Sequence, residues 1–324
     1  MSNFTATAIA HPNIAFIKYW GVCDASLHLP ENGSISMNLG ALETRVTVTF
    51  DSHLEQDELE INQQVVLGER FHRISEFMDV IRKLAHKKTH ARIESENKFP
   101  MAAGLASSAS AFAALALAGS KAIGLELDEP SLSRLARRGS GSACRSIPAG
   151  FVEWNAGTSD RSSFGSSLAG PEHWDLVDCI ALVKTTEKML SSKEGHSLAH
   201  TSPLQASRVK DAPRRLEICR NAILQKDFDS LAVISEVDSL WMHAVMMTSI
   251  PALMYWEPAT IQILKAVATA RNEGLSVFAT VDAGPNVHVI TPKSNMNEAV
   301  AMLQSLPGVI KVIVSPAGGR AYLV

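Results

Sequence analysis

Cysteine is sparse and dispersed in this 324-residue chain: Cys23, Cys144, Cys179 and Cys219 form no CxxC pair. That spacing excludes a zinc ribbon and a disulfide framework, and it fits a reducing compartment, so a cytoplasmic location is expected. Charge of either sign is modest, with 30 Lys and Arg against 33 Asp and Glu and a formal net charge of −3. Bulk attraction to nucleic acid or to an anionic membrane is thereby excluded, and any cation that meets an anionic ligand must be placed locally. Long apolar runs are missing too. The most apolar stretch, Ala109 to Gly119, is too short to cross a bilayer, and the N-terminus lacks the basic start and apolar stretch of a signal peptide. Two common nucleotide signatures are also absent: there is no lysine-bearing P-loop, and no GxGxxG follows a strand.

What is there is a different phosphate cradle. The segment Phe99-Pro-Met-Ala-Ala-Gly104-Leu105-Ala106-Ser107-Ser108-Ala109 sets a glycine turn and two hydroxyls at the mouth of an alanine-rich helix. A helix N-terminus offers unpaired N–H groups and a partial positive charge, so it stabilises an anion without any lysine. Gly104 allows close backbone approach, while Ser107 and Ser108 add donors and candidate oxygen ligands for a metal ion. A capped hydrophobic helix after a glycine turn is the plain alternative.

Length favours two domains. Arg45 to Phe50 alternates with period two and is β-branched, which predicts a half-buried strand beside an antiparallel one. The small-residue run Ala109 to Ile123 predicts a helix stopped by Gly124, and Pro130 to Arg138 another, capped by Asp128. A second glycine and serine turn, Gly139-Ser140-Gly141-Ser142, leads into Arg145. Asn155 to Gly170 reads as a loop or hairpin connection. After an apolar strand over Ile180 to Val183, helical spacing dominates Arg214 to Gln225, Phe228 to Met247 and Thr260 to Asn272. Short strands over Ser276 to Val281 and Val287 to Ile290 flank Asp282-Ala-Gly-Pro-Asn286. A helix near Asn297 to Ser305, a strand over Val309 to Val314 and a closing strand follow. The expected division is residues 1–185 and 186–324.

Three residues carry candidate chemistry. Lys18 interrupts the apolar run Pro12 to Gly21, where a partly desolvated ammonium can lower the pKa of a neighbouring acid or hydroxyl. Asp282 ends a buried-looking strand before a rigid turn, and Arg145 follows a glycine turn. An amphipathic stem, an Asx turn and a carbonyl cap are their respective structural alternatives.

Across its whole length the chain resembles the GHMP kinase superfamily, and within it the mevalonate diphosphate decarboxylase branch. The matching motifs are Asn13-Ile-Ala-Phe-Ile-Lys-Tyr-Trp-Gly21, Leu29-Pro-Glu-Asn-Gly-Ser-Ile-Ser36, the Phe99 to Ala109 segment, Arg137 to Ser146, and Asp282 to Asn286. The resemblance implies an α+β fold with a ribosomal S5 domain 2-like N-terminal domain that binds ATP, a ferredoxin-like C-terminal domain and a cleft between them. It also implies ATP with Mg²⁺, a small phosphorylated mevalonate as substrate, and a homodimer. On the family's pattern Asp282 orients or deprotonates a tertiary alcohol with Lys18 as its electrostatic partner, and Arg145 holds the substrate carboxylate. Ala15, Tyr19, Ser140, Ser142, Ser192, Lys193 and His196 would line the substrate. Ser95, Asn97, Gly104, Leu105, Ala106, Ser107 and Ser108 would hold the nucleotide, with Ser107 and Ser108 as candidate Mg²⁺ ligands.

Departures from the pattern gather at one end of the pocket. Val22 stands where the family usually has a lysine that meets the diphosphate, His196 where it usually has methionine, and Lys193 where it often has arginine. One missing charge-assisted bond weakens a diphosphate by roughly ten- to a hundredfold. The expected substrate is therefore mevalonate 5-phosphate, giving isopentenyl phosphate, with His196 against the single phosphate. The alternatives are the 5-diphosphate decarboxylase and a 3-kinase that stops after phosphoryl transfer.

Overall fold

The computed structural model describes residues 4–98, 107–183 and 192–324, with Ser192 and Lys193 described for their backbone only. Among these residues the strands form three sheets of four or more strands and one two-stranded ribbon. Gly104, Leu105 and Ala106 lie outside the described residues, as does Ser191.

The first sheet orders its six strands as Tyr322–Leu323, Phe4–Ala10, Thr44–Phe50, Ala91–Asn97, Glu58–Ile61 and Gln64–Val65. Thr44–Phe50 alternates buried and half-buried residues and pairs antiparallel on both sides, as its β-branched pattern predicts. Its buried face packs under Ser107–Ile123, whose alanines let the helix backbone sit close to the sheet. Phe77, Phe112 and Leu115 fill that core, each side chain contributing about 1.5–3 kcal/mol by burial. Gly124, at φ +89°, ends this helix, as expected. The helix Glu129–Gly139 is capped by Asp128, which accepts from the Ser131 N–H at 2.9 Å, and runs straight into the 3₁₀ turn Gly141–Ser146.

The second sheet, Phe164–Ala169, Phe151–Asn155, Ser34–Asn38 and Asn13–Ile17, turns the Asn155 to Gly170 stretch into a hairpin with a short strand on its far side. The third is antiparallel, in the order Phe278–Thr280, Val287–Pro292, Leu176–Leu182 and Lys311–Pro316. The strand before residue 185 thus belongs with strands near the C-terminus, and the closing strand Tyr322–Leu323 returns to Ala8 and Ile9 of the first sheet. Helices Gln205–Gln225 and Phe228–Thr248 pack between the second and third sheets, and Pro258–Asn272 and Met296–Ser305 cover the other face of the third. Gln205–Gln225 starts nine residues before the expected Arg214 and carries Pro213 inside it. Buried Arg208 and Arg215 hold that extension in place, a tertiary contribution that periodicity does not report. Among the described residues no helix is long and apolar enough to cross a membrane.

Candidate active site

The strand Asn13–Ile17 is buried along its full length, and it delivers Lys18 at its end into the space beside Asp282. The Lys18 ammonium donates to Asp282 Oδ1 at 2.6 Å, with Lys18 2% exposed and the Asp282 side chain one-third exposed. A buried ammonium is costly unless paired, so this contact explains how an apolar strand tolerates it. Burial pulls the Lys18 pKa below its usual range, partly offset by Asp282 and then Asp238. For Asp282 burial works upward, but the Lys18 cation, His288 and Arg145 outweigh it and hold the carboxyl below its ordinary value. Asp282 is therefore a carboxylate at neutral pH: an acceptor that can align a hydroxyl.

Arg145 sits on the 3₁₀ turn, fully inside the protein. Its Nε donates to Asn13 Oδ1 at 3.2 Å and Ser36 Oγ at 3.0 Å, its Nη1 to Ser34 Oγ at 2.5 Å and its Nη2 to Asn13 Oδ1 at 3.1 Å. Those acceptors are neutral oxygens. They orient the guanidinium without cancelling its charge, leaving an electrostatic demand that an anionic ligand satisfies.

Around this pair stand most of the other expected substrate residues. Ala15 is buried one strand position from Phe16, and its carbonyl accepts from Thr280 Oγ1 at 3.3 Å, tying the second sheet to the strand that leads to Asp282. The Tyr19 ring meets Trp154 edge-on at 4.7 Å and stacks on His196 at 4.1 Å. Burial pushes the Tyr19 phenol well up, so it stays protonated. Ser140 Oγ lies 3.4 Å from Ser108 Oγ, joining the second serine turn to the first turn of the Ser107–Ile123 helix. The Ser142 carbonyl accepts from Asn13 Nδ2 at 3.2 Å.

His196 is carried by the short helix Ser192–Leu198 and lies against the rings of Tyr19 and Trp20, with ring centroids 4.1 and 4.5 Å away. Its Nδ1 accepts from the Gly21 N–H at 3.2 Å, which leaves the ring proton on Nε2. Burial, followed by His28, Arg208 and Arg145, pushes its pKa down to about 3. The ring is a neutral donor and not a cation.

On the nucleotide side, Ser95 and Asn97 lie on the strand Ala91–Asn97. Asn97 Oδ1 accepts from Thr44 Oγ1 at 2.7 Å, and Thr44 Oγ1 lies 2.7 Å from Ser110 Oγ, so one hydrogen-bonded chain runs from that strand to the helix start. Among the described residues no three His, Cys, Asp or Glu side chains converge on a metal site.

Sequence reasoning passed over the residues that hold Lys18. The Lys18 N–H donates to Asp238 Oδ2 at 2.6 Å, and its carbonyl accepts from Asn32 Nδ2 at 3.0 Å and Arg208 Nη2 at 2.7 Å. Asp238 is fully buried and also accepts from Arg215 Nε at 2.7 Å. An aspartate among the apolar residues of that helix was the available signal, because a carboxylate on the buried side must be paired.

The contact of a buried ammonium with a partly exposed carboxylate, beside a guanidinium whose partners are neutral, fits the ATP-dependent carboxy-lyases of the GHMP kind. The chain belongs to the mevalonate 5-diphosphate decarboxylase family. Residues 10–165 match the family model of the diphosphomevalonate decarboxylase-like N-terminal domain, and residues 179–313 that of the mevalonate 5-diphosphate decarboxylase C-terminal domain. It is 38% identical to a diphosphomevalonate decarboxylase of Candida albicans, over 93% of this chain and 88% of that protein. It is 33% identical to a phosphomevalonate decarboxylase of Haloferax volcanii, over 91% of this chain and 92% of that one. A solved structure of the protein MDDEF in complex with MVAPP, AMPPCP and magnesium superposes with a TM-score of 0.94 at 38% identity, covering 100% of this chain and 99% of that chain.

Proposed function

We propose that this enzyme decarboxylates a 5-phosphorylated mevalonate in an ATP-dependent reaction. The observation that carries the reading is the Lys18–Asp282 contact at 2.6 Å near the charge-unbalanced Arg145. Asp282 accepts the hydrogen bond of the tertiary 3-hydroxyl and takes its proton as that oxygen bonds to the terminal phosphorus of ATP, while the phosphoanhydride bond breaks and ADP leaves. Lys18 offsets the negative charge gathering there. Once phosphorylated, that oxygen leaves as phosphate, and the electrons of the bond to the carboxyl carbon become the alkene as CO₂ departs. Arg145 keeps the carboxylate in line with the breaking bond through its two-nitrogen fork.

The hydroxyls of Ser107 and Ser108, with Gly104 to Ala106, are suited to the phosphates of ATP, and Ser95 and Asn97 to the nucleoside. A hard divalent cation accepts hydroxyl and phosphate oxygens and retains water, so the Ser107 or Ser108 oxygen fits Mg²⁺. When bound, Mg²⁺ supplies charge neutralisation across the phosphates.

The names of most relatives back the 5-diphosphate better than the 5-monophosphate. One feature of this chain favours the monophosphate: Val22 stands where the family pattern has a lysine, next in sequence to Gly21, whose N–H meets a neutral His196. We therefore propose the monophosphate, with isopentenyl phosphate as product, and the diphosphate as the second reading. Ala15, Ser140, Ser142 and Tyr19 seat the substrate, together with Ser192 and Lys193; the expected cytoplasmic homodimer belongs to the same proposal. The test is release of CO₂ and ADP by the purified enzyme with Mg²⁺ and ATP, comparing the two substrates at equal concentration. A higher kcat/KM for the monophosphate supports the first reading and the reverse supports the second. ADP without CO₂ from either substrate overturns both.

A further inference from the structure

The helix Phe228–Thr248 reaches the backbone at or beside both partners of the Lys18–Asp282 pair. Asp238 accepts from the Lys18 backbone N–H at 2.6 Å. Ser239, the next residue, brackets Val281, the residue before Asp282. Its Oγ accepts from the Val281 N–H at 3.0 Å and donates to the Val281 carbonyl at 3.2 Å. Four residues further along, His243 Nε2 lies 3.2 Å from the same carbonyl. At about 100° per residue, Ser239 and His243 project only about 40° apart, so both aim at one peptide unit, while Asp238 points toward the strand that carries Lys18.

These contacts fix one geometry. All three side chains are buried, at 0%, 3% and 1% exposure, so their polar atoms have no water to turn to. The segment they hold is otherwise free of ladder bonds, because the strand Phe278–Thr280 ends before Val281. Arg208 and Arg215 flank Asp238, and the Trp256 ring lies 4.8 Å from the His243 ring, so the holding groups are themselves held.

We propose that Ser239 and His243 are positioning residues for Asp282, as Asp238 is for Lys18, so that a single helix sets the carboxylate to ammonium geometry the reaction uses. None of them touches substrate. The inference rests on the proposed role of the Lys18–Asp282 pair. Misplacing a reacting group by about an ångström costs on the order of a hundredfold in rate without weakening binding.

Steady-state kinetics on Ser239→Ala, His243→Phe and His243→Gln tests it, with circular dichroism and thermal melting to verify folding. Phenylalanine keeps the ring beside Trp256 but removes the donor, whereas glutamine restores an N–H at similar reach. Ser239→Ala and His243→Phe are expected to lose roughly ten- to a hundredfold in kcat with KM for ATP and substrate within about twofold, and His243→Gln to recover most of the loss. Wild-type kcat in folded Ser239→Ala and His243→Phe overturns the inference, as does a His243→Gln no better than His243→Phe. Asp282→Asn run alongside separates the two levels: if it turns over normally, the role of the pair itself is wrong, whatever the helix variants do.

Discussion

Lys18 Nζ and Asp282 Oδ1 lie 2.6 Å apart although 264 positions separate them in the chain. The contact joins the residue just after a buried strand of the second sheet to the turn that follows the third sheet's Phe278–Thr280 strand. Each residue makes the other tolerable in a desolvated place, and together they offer a substrate hydroxyl an acceptor with a cation behind it.

Asp282→Asn is expected to abolish CO₂ release while leaving ATP affinity nearly unchanged, because the amide keeps the shape but neither carries the charge nor accepts equally well. Turnover by a CO₂-release assay and nucleotide binding by fluorescence titration check this together. Unchanged turnover removes Asp282 from the chemistry.

Gly141 faces Tyr19 closely enough that a methyl group there would come 2.7 Å from the ring. Gly141→Ala must therefore displace the Tyr19 ring. Overpacking of this kind costs about 1–3 kcal/mol, visible in a urea titration. Because Tyr19 is proposed to seat the substrate, KM for the phosphorylated substrate should rise about tenfold, while KM for ATP should not.

His196 is held neutral in the folded protein, with its pKa pushed from 6.5 down to about 3 by burial. Between those values the unfolded chain binds a proton that the folded one refuses, so stability is fully present above pH 6.5 and falls as the pH drops toward 3. His196→Met should flatten that slope, and urea midpoints of the two proteins should diverge from pH 7 to pH 4.5. Parallel midpoints would mean that the ring protonates freely in the folded state.

Val22→Lys with His196→Met introduces the residues that the family resemblance leads one to expect at these two positions, which the proposal assigns to the phosphate end of the substrate. One charge-assisted bond is worth about 1.5–3 kcal/mol, so affinity for the 5-diphosphate should rise roughly ten- to a hundredfold, with a smaller change for the 5-monophosphate. Competition between the two substrates measures it. An unchanged preference rejects these positions as the source of specificity.

Much of this was legible without coordinates because it is local. The period-two strand Thr44–Phe50, the Asp128 cap and the stop at Gly124 follow from propensity, capping and a positive φ, all set within a few residues. Lys18, Asp282 and Arg145 stood out because their residue types conflict with their neighbours. Family resemblance then supplied the roles that local physics does not. The Asn155 to Gly170 stretch, read as a loop or hairpin connection, is a hairpin whose outer strand pairs with its near neighbour Phe151–Asn155. The early start of Gln205–Gln225 was illegible for the opposite reason, since Arg208 is held by a carbonyl far along the chain.

By itself, then, the sequence determined which side chains stand out as candidates for chemistry and where the glycine- and serine-rich motifs lie, because motifs and local conformational preferences act over a few residues. Tertiary structure alone decided which of those side chains meet and in what charge state. It placed Asp238, Ser239 and His243 on one helix behind Lys18 and Asp282, and it made His196 a neutral donor against two aromatic rings. Burial and distance set pKa values and hydrogen bonds, and both exist only once the sheets and helices have packed.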